Sequence, residues 1–168
     1  MTATEASDEC GVIVVGLGEN CHAYVLDDGS GVMPPDQWAR AVVAKYREHE
    51  ADKIIAEVNN GGDMIGLTIN TVDQGCAYEA VRASRGKRTR AEPVASLYEQ
   101  GRVHHVGVLP TLEDEMCTWD PMSSTRSPNR IDALVWAVWS LLVCPDDAFL
   151  QVMAAENEAR RQAAGHQG

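Results

Sequence analysis

The chain has 168 residues, 45% hydrophobic and 23% charged, the proportions of a single globular domain. With 25 Asp+Glu against 14 Lys+Arg, its formal net charge of −11 excludes long-range attraction to nucleic acid, so a DNA contact needs a local basic patch or bound cations. No apolar run reaches the roughly 18 residues of a membrane span, and the opening MTATEASDEC has no signal-peptide core.

Residues 1–9 read as a loosely held start. The apolar run Gly11 to Leu17 and the stretch His22 to Leu26, separated by Gly18-Glu19-Asn20, predict an antiparallel hairpin. Asp27 to Gly31 closes the second strand as a turn. Pro34 and Pro35 open a helix to about His49, with Trp38, Ala41, Val42 and Tyr46 at helical spacing. Lys53 to Val58 is nearly all apolar, as in strands covered on both faces. A loop, Asn59 to Gly62, leads to a helix from Asp63 carrying Met64, Leu67 and Ile69. Tyr78 to Arg82 reads as a strand. Arg85 to Gln100 reads as helical at least in its second half, where Pro93 suits a first turn, with a stripe of Val94, Leu97 and Tyr98 and Gly101 at the C-terminal cap. Val103 to Val108 is a strand, Pro110 to Trp119 a short helix, and Pro121 to Ser127 a loop. Pro128 to Val143 is a strong helix with Ser127 as N-cap, and a helical tail follows from Asp146. The order of elements predicts an α/β domain with helices on a mixed sheet, spanning 10–145, followed by the tail 146–168.

Two carboxylates interrupt apolar patterns. Glu57 interrupts the KIIAEV strand near its C-terminal end, where ligands of open α/β sheets bind, and a charge there demands a partner or a metal. Asp132 shares a helix face with Val135, Trp136, Trp139 and Val143, the stripe that must face the sheet. Together they would suit a hard divalent cation, Mg²⁺ or Mn²⁺. Arg82, Arg85, Lys87, Arg88 and Arg90 place five basic residues within nine positions of an acidic chain, a local patch suited to a phosphate backbone. Asp63 reads first as a helix cap, and Asp27 and Asp28 as turn residues. His104 and His105 point to opposite faces of a strand and read as ordinary strand residues. Cys10, Cys21, Cys76, Cys117 and Cys144 form no C-x-x-C pair and read as reduced, mostly buried thiols of a cytosolic protein. No Walker-type phosphate loop is present.

The stretch Ala51 to Met64 (ADKIIAEVNNGGDM) resembles the nuclease domain of phage terminase large subunits. So do Arg82 to Ala95 (RASRGKRTRAEPVA), Tyr98 to His105 (YEQGRVHH), Leu112 to Cys117 (LEDEMC) and Ser127 to Trp136 (SPNRIDALVW), in the same order, over roughly Asp8 to Leu142. The resemblance implies an RNase H-like fold. It implies a metal-dependent endonuclease that cuts concatemeric viral DNA with two Mg²⁺ or Mn²⁺ ions. Glu57 and Asp132 would be its catalytic metal ligands, Asp8 and Asp63 further candidate ligands, and Arg85, Lys87 and Arg88 contacts to double-stranded DNA. It also implies a terminase ATPase domain, a portal and a small terminase subunit as partners, no membrane, and action in the cytoplasm of a bacterial host, for a phage or a prophage.

One departure is visible. The family's first catalytic acid lies on a central strand preceding the segment matched by Asp8 to Val15, and MTATEASD forms no strand. The expectation is therefore an N-terminally truncated fold with open strand edges, nearly inactive as an isolated nuclease. A split-gene fragment, a prophage remnant and a late recorded start are equal explanations. The rival function is a non-catalytic packaging or interaction module. A resolvase-like nuclease fits the motifs less well.

Overall fold

The computed structural model describes residues 9–58, 64–83, 86–120, 122 and 127–143. The start 1–8 with Asp8, the loop 59–62, Asp63, Arg85, most of the 121–126 loop, Cys144 and the tail 146–168 lie outside the described residues.

Strands β1 (Glu9–Cys10) and β4 (Gly31–Val32) pair antiparallel and enclose the hairpin of β2 (Ile13–Leu17) and β3 (Ala23–Asp28). Glu9, expected in the loose start, is thus a strand residue opposite Val32. The hairpin is antiparallel as expected, with a bulge where the register shifts between Val14 and Val15. Asp27 and Asp28 extend β3 instead of forming the turn, because each carboxylate finds a cation from a helix. Only Asp28 also serves the bend, accepting from the Ser30 amide at 3.0 Å.

Helix α1 (Pro35–Glu48) leads to β5 (Ile54–Glu57), and α2 (Met64–Val72) leads to β6 (Tyr78–Val81), parallel to β5. The apolar β5 is only half-buried along its whole length, not covered on both faces. On α2, Ile69 is fully buried, whereas Met64 and Leu67 stand exposed.

Helix α3 (Lys87–Glu99) begins six residues before Pro93, so this proline sits mid-helix and removes one backbone hydrogen bond there. Gly101 adopts φ +66°, the left-handed conformation a helix C-terminus favours. Strand β7 (Val103–His105) runs parallel to β3 and stops short of Val108. After α4 (Pro110–Thr118) comes α5 (Asn129–Val138), ending in a π-helical turn, Trp139–Val143. Ser127 does not cap α5. Its N-cap is Pro128, and the Ile131 amide is satisfied by Glu115 Oε1 of α4 at 2.9 Å.

The sheet is in three ladders: β1-β4, β2-β3-β7 and β5-β6. Helix α5 packs against β1, β2, β3 and β5, and so spans all three. Its Ile131, Leu134, Val135 and Val138 are buried with Ala23 and Val25 of β3, Val94 and Leu97 of α3, Val103 of β7 and Leu112 of α4. Each such Val, Leu or Ile side chain contributes about 1.5–3 kcal/mol of transfer free energy. At its first turn α5 comes so close to the β1–β2 link that a Cβ on Gly11 would lie 2.0 Å from the Asn129 carbonyl oxygen, so only glycine fits. Among the described cysteines only Cys76 is buried. Cys21 and Cys117 are exposed and Cys10 is intermediate, so the expectation of mostly buried thiols fails for this set. No described helix is long and apolar enough to cross a membrane.

Candidate active site

Glu57 is the last residue of β5, and its backbone pairing with Val81 fixes where its side chain leaves the sheet. The Trp136 indole donates to Glu57 Oε2 at 2.8 Å, and Arg90 Nη2 donates to the same oxygen at 3.2 Å. Arg90 also lies over the Trp136 ring, 4.7 Å from its centroid. This guanidinium is only 6% exposed, a rare burial for arginine that the ion pair and ring stacking make tolerable.

Asp132 lies one turn before Trp136 on α5, on the same side of the helix. Its Oδ2 contacts the Lys87 ammonium, which also donates to Ser127 Oγ at 2.7 Å. Lys87 and Arg90 are three residues apart on α3 and share a face. Two charge pairs therefore run between α3 and the β5–α5 layer: Lys87 to Asp132, and Arg90 to Glu57 with Trp136. The oxygen donors are of the type a hard divalent ion takes, so the donor set fits such an ion, which would compete with the cation that already rests against each carboxylate.

The rest of the basic cluster divides. Arg88 pairs with Glu92 at 3.2 Å on the exposed side of α3 and reaches Met122 Sδ at 3.5 Å. Arg82 is exposed. Arg90 and Trp136 were legible only as a member of the basic run and of the apolar stripe. The i, i+4 spacing of Asp132 and Trp136 was the available signal that the indole shares the carboxylate's face. Ser127, read as a cap, instead accepts from Lys87.

A second polar group lies at the end of β3. Ligand atoms of Asp27, Glu48 and His49 lie within 4.8 Å of one another. Lys45 Nζ already bridges Asp27 at 2.6 Å and Glu48 at 2.9 Å, which makes this an ion-pair cluster with its own cation. The adjacent histidines separate as expected for a strand. His104 bonds His22 at 2.8 Å, whereas His105 lies between the Tyr98 hydroxyl at 2.8 Å and Glu113 at 2.9 Å.

The terminase RNase H-like domain family matches residues 1–141 of this sequence. The chain belongs to that family. The fold of this terminase domain is similar to the crystal structure of the large terminase nuclease from thermophilic phage G20c. That likeness has a TM-score of 0.52 and 17% identity, covering 78% of this chain and 82% of the other. The same phage nuclease with bound cobalt is similar at TM-score 0.51 and 17% identity, over 79% and 81% of the two chains. No curated protein sequence matches the terminase domain. The α/β, RNase H-like architecture expected from the sequence is thus the one observed.

Proposed function

We propose that this terminase domain is the DNA-cutting part of a packaging machine, hydrolysing concatemeric viral DNA with Mg²⁺ or Mn²⁺ in the cytoplasm of the bacterial host. The observation that carries the reading is that Glu57 of β5 and Asp132 of α5, distant in sequence, meet the same Lys87–Arg90 face of α3. Cobalt bound to a nuclease of the same fold supports a metal-dependent reading. Bound divalent ions supply water activation and leaving-oxygen stabilisation in phosphodiester hydrolysis. The chain's own residues do the rest. Glu57 and Asp132 offer carboxylate oxygens, and Arg90 with the Trp136 indole fixes the orientation of the Glu57 carboxylate. Lys87 and Arg88, half-exposed to exposed, meet phosphates of double-stranded DNA, with Arg85 a further candidate. Asp8 and Asp63 are candidates for additional ligands.

A second reading has an observation behind it. Both described carboxylates are already neutralised from within the chain, as in a domain that binds DNA, ATPase domain, portal or small subunit without cutting. Supercoiled plasmid nicking in Mn²⁺, with DNA binding followed by anisotropy, separates the two. The nuclease reading expects cutting, weak in the isolated chain, that falls at least the roughly 10–100-fold typical of even outer-shell changes in both Glu57→Gln and Asp132→Asn. It also expects Lys87→Ala/Arg88→Ala to weaken binding evenly across sequences and flatten its salt dependence. DNA binding without cutting in any metal favours the second reading. Cutting indifferent to both carboxylate changes overturns the site assignment.

A further inference from the structure

We propose that Lys87 is an exchangeable internal cation: its ammonium holds the Asp132 carboxylate until a divalent ion takes its place, and the freed ammonium then turns to DNA phosphate. This rests on reading Glu57 and Asp132 as metal ligands, and it adds the regulation of that site.

The two cations at the site differ in how firmly they are held. Arg90 is 6% exposed and stacked on Trp136, so it remains in place as the permanent partner of Glu57. Lys87 is 45% exposed, and its ammonium is held by Asp132 and the Ser127 hydroxyl. Asp132 is 20% exposed, so the pair is open to solvent from its lysine end, and an ammonium is a compact charge on a flexible stem. Lys87 is also the first residue of α3, after Gly86, with no side-chain cap on that helix end. Turning the side chain therefore disturbs no buried packing.

A divalent ion that takes Asp132 Oδ2 meets the Lys87 ammonium on the same oxygen, where the two like charges repel. Loading the ion therefore ejects Lys87, leaving a lysine beside the site with no carboxylate to neutralise it. The phosphate backbone is the ligand that such a lysine takes. Metal and DNA should then help each other bind, each raising the affinity for the other by the same factor. The exchange also keeps an acidic site from remaining as an uncompensated charge in the ion-free protein.

The test is Mn²⁺ binding by calorimetry to the full 168-residue chain and to Lys87→Met, Lys87→Arg, Asp132→Asn and the double variant K87M/D132N. Lys87→Met keeps the aliphatic stem and removes the competitor, so Mn²⁺ should bind on the order of tenfold more tightly. Lys87→Arg keeps the charge and should stay at or below wild-type affinity, and Asp132→Asn should remove the gain in the double variant. On the wild-type protein, the NMR signal of the bonded Lys87 ammonium should disappear as Mg²⁺ is added, a readout that needs no variant to fold. Equal affinity in wild type and Lys87→Met, with binding still dependent on Asp132, would overturn the exchange and leave the metal site standing. Mn²⁺ binding insensitive to Asp132→Asn in every background would instead overturn the metal reading, and the exchange with it.

Discussion

Asp27 shows how a single acid in this chain acquires a role from its neighbours. The Lys45 ammonium, and then His49, hold its carboxyl below its ordinary value of 3.8. A depressed folded-state pKa stabilises the fold above the unfolded value, and this stabilisation is lost as pH falls through the folded one. Asp27→Asn should therefore cost about 0.5–1 kcal/mol near neutral pH, the range of a partly exposed pair. Urea unfolding at a series of pH values checks this. The gap from wild type should close as pH drops below about 4, and a gap independent of pH would assign the loss to packing. The same logic explains what the sequence alone could reveal. Glu57 and Asp132 stood out because a charge on an apolar stripe is unfavourable unless matched. The partners of Glu57, Arg90 and Trp136, did not, because pairing across α3, α5 and β5 depends on how the elements cross, which no spacing along the chain records.

Between elements, Arg130 ties three segments together. Its Nε bonds Asp28 of β3 at 3.0 Å, its Nη1 pairs with Glu9 of β1, and its side chain is 8% exposed. Arg130→Met would remove the guanidinium that bonds both Glu9 and Asp28. The expected loss is about 3 kcal/mol, the usual result of removing one partner of a buried pair. Chemical denaturation measures it, and Arg130→Met combined with Glu9→Gln and Asp28→Asn should recover part of it. A loss no larger than that of an exposed arginine would show that the network is solvent-screened. Helices and the hairpin were legible from apolar periodicity, yet their ends were not. Helix α3 starts before Pro93, where Lys87 and Arg90 meet Asp132 and Glu57, so tertiary ion pairs support a turn that local sequence would not begin there. Ser127 looked like a cap because serine often is one, but Lys87 claims its hydroxyl and Glu115 supplies the cap across space.

At the scale of the molecule, strand existence was readable but strand order was not, since the division into three ladders depends on which edges find partners. That division has a consequence for cooperativity. The principal buried cluster draws on β3, β7, α3, α4 and α5 and takes nothing from α1, α2, β5 or β6. The latter elements pair mainly among themselves, α1 with α2 and β5 with β6, and join the rest through β5 against α5, the Arg90–Glu57 pair and the Asp27 ion pairs with Lys45 and His49. Local opening should then occur in two steps, with the α1–α2–β5–β6 unit the less protected. Native-state amide exchange is expected to show Ile54 and Ile55 exchanging by a lower-energy opening than Val25 and Leu134. Uniform protection across both sets would show a single cooperative unit. Glu57 belongs to the weaker unit, and Asp132 to the stronger. An ion shared by their carboxylates would staple the seam, so loading should slow exchange in β5 more than in β3. A protein arranged this way would register the arrival of such an ion as a gain in mechanical continuity across the whole domain.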